Sequence, residues 1–70
     1  MITINHTTYT PDGELFAESV THIKGLWFGT IAATVANRVN WGWTQTAPNQ
    51  VAKVDHLGFL DVVTFEEKTQ

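Results

Sequence analysis

Gly25-Leu26-Trp27-Phe28-Gly29-Thr30-Ile31-Ala32-Ala33-Thr34-Val35-Ala36-Asn37-Arg38-Val39-Asn40-Trp41-Gly42-Trp43 decides the fold, because its apolar residues follow a helical rather than an alternating period. Trp27, Ile31, Val35 and Val39 recur every four residues. Phe28, Ala32, Ala36 and Trp43 widen that arc to about half of a helix surface. Gly29, Thr30, Ala33, Asn37 and Asn40 fall on the opposite side. The pattern predicts an amphipathic helix from about Gly25 to Trp43, with Trp27, Ile31, Val35 and Val39 facing a sheet and Gly42 as its C-terminal stop. Gly25, Gly29 and the strand-favouring Thr, Val and Trp side chains pull against it.

Upstream of this segment, Thr10-Pro11-Asp12-Gly13 has the chemistry of a tight turn between two strand-forming stretches, Ile2 to Thr10 and Glu14 to Thr21. A three-residue loop would place Thr8 opposite Phe16, His6 opposite Glu18, Ile4 opposite Val20 and Ile2 opposite His22. Ile2, Ile4, Phe16 and Val20 are then expected on a buried face. Thr3, Asn5, Thr7, Ala17, Ser19 and Thr21 are expected on a wet one, with Tyr9 opposite Leu15 near the turn.

Downstream, a polar loop from Thr44 to Gln50 leads into strand-like sequence from Val51 to Glu67. Asp55-His56-Leu57-Gly58 fits either the turn of a second hairpin or a bulge in one long strand. The order is hairpin, helix, then one or two strands, ββαβ or ββαββ. It predicts a two-layer α+β fold over residues 1–70, with the helix packed on one face of an antiparallel or mixed sheet.

With 70 residues there is room for one small core. A chain of this size buries only about 60% of its unfolded surface, so large apolar side chains are scarce. The absence of cysteine removes disulfides, thiolate metal sites and cysteine nucleophiles, and favours a cytoplasmic setting, the host cytoplasm if the gene belongs to a phage. Met1 to His6 does not resemble a signal peptide, and the sequon Asn5-His6-Thr7 is read as chance. Leu26 to Ala36 is too short and too interrupted to span a bilayer, so no membrane is expected.

The net charge is −3, and Lys24, Arg38, Lys53 and Lys68 are scattered singly, so direct nucleic-acid binding is not expected. His6 and His22 would share a face about 13 Å apart at strand rise, too far to ligate one metal ion, and no metal or cofactor is expected. The bland role for His6 is a cross-strand pair with Glu18. Ser19 has no elbow motif around it, Asp55 and His56 point to opposite faces of a strand, and no glycine-rich phosphate loop is present. No enzymatic activity is therefore expected.

Trp41-Gly42-Trp43 is the most informative motif for function. On helical geometry Trp41 projects from the polar side while Trp43 lies at the edge of the apolar arc. A tryptophan outside the core is a frequent binding anchor, although both rings could instead close the open end of a small core. The candidate contact surface is Trp41 and Trp43 with Leu26, Asn37 and Asn40. Alternative surfaces are the hairpin face around Tyr9 and the acidic residues Asp61, Glu66 and Glu67.

A small acidic cysteine-free chain without a catalytic motif has the character of a non-enzymatic module that binds a larger protein or complex. Phage and mobile-element inhibitors of host machinery, anti-CRISPR proteins among them, form one such class. The alternatives are a small assembly subunit that self-associates through a sheet edge, and a small-ligand or regulatory domain. The oligomeric state is left open by the sequence.

Overall fold

In the computed structural model, which describes residues 1–67, the chain forms six elements. They are β1 (Ile2–Tyr9), β2 (Leu15–Ile23), α1 (Ile31–Asn40), β3 (Thr44–Ala47), β4 (Gln50–Val54) and β5 (Leu60–Glu67). The strands make one sheet of order β2-β1-β5-β4-β3, and every neighbouring pair is antiparallel. The helix lies across β3, β4 and β5, giving the two-layer α+β arrangement read from the sequence.

The first turn closes as its residues require, with the Gly13 amide donating to the Thr10 carbonyl and the Thr10 amide to the Glu14 carbonyl. The second turn is also a hairpin rather than a bulge. The Asp55 carboxylate accepts from the Leu57 and Phe59 amides at 2.8 and 3.0 Å, the local bond by which aspartate initiates a turn.

The register of the first hairpin differs from the sequence expectation. Tyr9 faces Leu15 as expected, but a bulge then shifts the ladder, so that Thr8 faces Ala17, His6 faces Ser19, Ile4 faces Thr21 and Ile2 faces Ile23. One extra residue moves every later side chain of β2 to the other face. Ala17, Ser19 and Thr21 therefore share the helix side with Ile4, and Val20 turns away from it. Phe16 and Val20 are exposed instead of buried, while Thr3, expected to be wet, is buried. His6 and His22 fall on opposite faces, and His6 pairs with Asp61 of β5 rather than with Glu18.

The helix is shorter than its apolar period suggests. Gly29 adopts φ +84°, which no helix continues through, and Thr30 becomes the N-cap, its hydroxyl accepting from the Ala33 amide at 3.1 Å. Thr30 is thus the start of the helix and not a neutral residue of its polar side. At the other end Gly42 has φ +99°. Its amide bonds the Val39 carbonyl and the Trp43 amide bonds the Arg38 carbonyl, the paired closure of a Schellman motif. Gly42 is the stop that the sequence indicated.

These two ends rotate the buried stripe. Val35 and Thr34 are buried and Ile31 is half-buried, but Trp27, which precedes the helix, is 95% exposed, and Phe28, Ala32, Ala36 and Val39 are exposed as well. The Schellman turn brings Trp43 back against the core, where Val39 had been expected. The core is Val35 with Val51, Val63 and Phe65, joined by half-buried Ile4, Leu26, Ile31 and Trp43. The segment Thr44–Ala47, expected as loop, is strand β3, because its backbone completes the ladder of β4.

Candidate functional site

The connector from Lys24 to Thr30 runs from the end of β2 to the helix cap, and within it the Gly29 amide donates to the Leu26 carbonyl at 3.0 Å. It leaves an open groove of about 210 Å³ between itself and α1. Leu26, Trp27 and Phe28 form one wall, and Asn37, Arg38 and Trp41 form the other, with Ile4 and Phe65 at the floor. The helical wall is one stripe, since positions three and four apart fall on the same side of a helix.

Trp41 is the C-cap residue, and its amide donates to the Arg38 and Asn37 carbonyls, so its backbone is held while its ring remains 62% exposed. The Arg38 guanidinium sits 5.7 Å from the centre of the Trp41 ring and 5.5 Å from that of Trp43, within cation–π range of both. Arg38 makes no ion pair among the described residues. The groove therefore combines apolar walls with one oriented cation and has no acidic lining.

No family model, curated protein or solved structure matches this chain. The candidate residues are accordingly placed by geometry alone. Trp41, Asn37 and Leu26 meet in the groove, Leu26 being half-buried against the core rather than exposed. Trp43 packs on the core, and Asn40 is exposed outside the groove lining. Periodicity places Trp27 and Phe28 in the core, but both precede the helix and are exposed. Gly25 and Gly29 on either side of them were the available signal that the segment is a connector.

The alternative surfaces separate. Tyr9 lies on the face away from the helix in a row of directly paired residues, Leu15, Tyr9, Leu60 and Val54, which crosses four strands. Leu15 and Val54 in that row are exposed, a combination that appears only once the strand order is known. Asp61, Glu66 and Glu67 do not form one acidic surface. Strand alternation puts Glu66 on the face opposite Asp61, and Glu67 six residues along β5 from it.

Asp61 instead accepts hydrogen bonds from Thr8 Oγ1 at 2.8 Å and from His6 Nε2 at 3.1 Å. Ser19 faces His6 across the β1–β2 ladder, so a serine, a histidine and an aspartate lie near one another on the helix side of the sheet. Ser19 makes no hydrogen bond to His6, and both side chains sit on open strand surface. A nucleophile needs its base within hydrogen-bond reach and a third group holding the base, and only the second contact is present. Among the described residues no three His, Asp or Glu side chains gather at metal-ligand distance.

Proposed function

We propose that the chain is a non-enzymatic protein-binding module whose contact surface is the groove around Trp41. The occupant is an apolar side chain of a larger protein or complex, flanked by a carboxylate that meets Arg38. The observation that carries this reading is the exposed Trp41 ring beside Arg38, which has no ion pair among the described residues, at the mouth of an apolar groove. A rigid aromatic anchor gains contact area at low entropic cost, and arginine with tryptophan is the composition enriched in binding hot spots.

The volume of about 210 Å³ supports a side chain over a free metabolite, because small-molecule sites are usually about 300 to 1,000 Å³. A protein partner is favoured over nucleic acid by the net charge of −3 and the four dispersed basic residues, of which Lys68 lies outside the described residues. No described helix is long and apolar enough to cross a membrane. The finer reading, a phage or mobile-element inhibitor acting in the host cytoplasm, rests on small size, acidity and the lack of cysteine.

Quantitative pull-downs with the wild-type chain and Trp41→Ala test the proposal. The wild type is expected to retain a partner that the variant loses at unchanged melting temperature. Equal retention by both proteins would remove the groove from this account.

A further inference from the structure

The sheet has two edges, and they are built differently. β3 is four residues long, its ladder is irregular between Gln45 and Ala47, and Pro48 follows it. Short length, a bulge and proline are the usual means of blunting an edge against pairing. β2 has nine residues, all exposed except Ile23, and contains no proline. Its outer side faces no other strand among the described residues.

The regular part of β2 runs from Ala17, after the bulge, to Ile23, where the strand ends. Val20 is its midpoint. An antiparallel two-fold pairing about Val20 would set Ala17 against Ile23 of a second copy, Glu18 against His22, Ser19 against Thr21, and Val20 against itself. Each pairing joins like chemistry or hydrogen-bonding partners, apolar with apolar, carboxylate with imidazole, hydroxyl with hydroxyl. Such cross-strand pairs are those that stabilise sheets. His22 uses Nδ1 for its contact with Thr3 Oγ1 at 3.1 Å, which leaves Nε2 for a partner. Glu18 makes no ion pair among the described residues.

We propose that the chain self-associates through β2, as a two-fold antiparallel pair centred on Val20 that joins two sheets into one of ten strands. The occupant of the open edge is a second copy, because the strand is complementary to itself only in reverse about its own midpoint. Isologous contact of this kind is the commonest route to a homodimer. A ladder of seven residues is a small interface, so the dimer is weak, with Kd on the order of tens to a few hundred micromolar. This inference rests on the edge strand, which shares only Ile23, at the end of the ladder, with the lining of the groove at Trp41.

The chain has no cysteine, so single-cysteine variants report the register directly. Directly opposed residues in an antiparallel pair have Cα atoms about 4.5 to 5.5 Å apart, inside disulfide range, whereas a two-residue offset carries them to about 8 Å, beyond it. Under mild oxidation Val20→Cys is expected to form a covalent dimer and Thr21→Cys to stay a monomer. Sedimentation velocity at about 10 to 500 µM is expected to show a reversible dimer for the wild type. Val20→Lys, which places two ammonium groups on the two-fold axis, should weaken it at least tenfold at unchanged melting temperature.

Val54→Lys, on the exposed apolar row of the sheet face, controls for stacking through that face and should leave the dimer intact. Three results would overturn the proposal: a monomer at every concentration, cross-linking of Thr21→Cys without Val20→Cys, or a dimer lost in Val54→Lys and kept in Val20→Lys. Trp41→Ala should dimerise as the wild type does, so failure of the groove and failure of the edge are read separately.

Discussion

β5 and β2 are strands of similar apolar content with opposite fates. β5 lies between two neighbours and beneath α1, and its Val63 and Phe65 are buried. Among the described residues β2 has one neighbouring strand and no helix above it, and its Leu15, Phe16 and Val20 are 56 to 64% exposed. The difference teaches that burial here follows from where the helix lands, not from the hydrophobicity of a strand. The chain is correspondingly open. Its radius of gyration is 12.5 Å, against about 11 Å for a compact chain of 70 residues.

The largest expected effect tests the covered half. Phe65→Ala should cost about 3 to 5 kcal/mol, enough to unfold a domain with so small a core, and circular dichroism of the purified variant would show it. Phe16→Ala removes the same ring from the uncovered arm, where its main contact is the edge of Phe59 at 5.0 Å between ring centres. The expected loss is about 1 kcal/mol, and a denaturant midpoint shift matching that of Phe65→Ala would erase the contrast.

A second pair of substitutions sharpens the account of why the helix covers only half of the sheet. Gly42→Val forces a β-branched residue into positive φ at the Schellman turn and should cost about 1 to 3 kcal/mol in chemical denaturation. It should also release Trp43 from the core, visible as a red shift in tryptophan emission. Thr30→Ala removes the N-cap oxygen and should cost about 1 kcal/mol. A melt unchanged by Thr30→Ala would mean that the helix does not begin there.

The smallest stability effect belongs to the groove rim. Trp27 is almost wholly exposed, and Trp27→Ala should change stability by no more than about 0.5 kcal/mol. Its effect on partner retention should resemble that of Trp41→Ala, since the two rings line one groove. A large thermal shift from Trp27→Ala would return that ring to the core and close the groove.

Local chemistry made the first turn, the existence of the helix and its stop at Gly42 legible in the sequence, and marked Asp55 to Gly58 as either a turn or a bulge, which the pairing of β4 with β5 decided. Each of the first three depends on the backbone preferences of a few adjacent residues, such as Pro11-Asp12-Gly13. Even the start of the helix was written in Gly29-Thr30, but the four-residue period of Trp27 with Ile31 outweighed it, because periodicity carries no information about positive φ.

Contacts between residues distant in sequence decided the rest. The single-residue bulge beside Tyr9 exchanged the faces of β2, the pairing of β1 with β5 supplied the Asp61 partner of His6, and β4 drew Thr44–Ala47 into the sheet. Of the candidate site, sequence singled out Trp41, Leu26 and Asn37, while Trp27, Phe28 and the lone cation of Arg38 joined them only through folding. The sequence determined the first turn and that a helix follows the hairpin and ends at Gly42. Tertiary structure decided which faces are dry, because a strand's pattern reads the same on either face until its neighbours and its helix are in place.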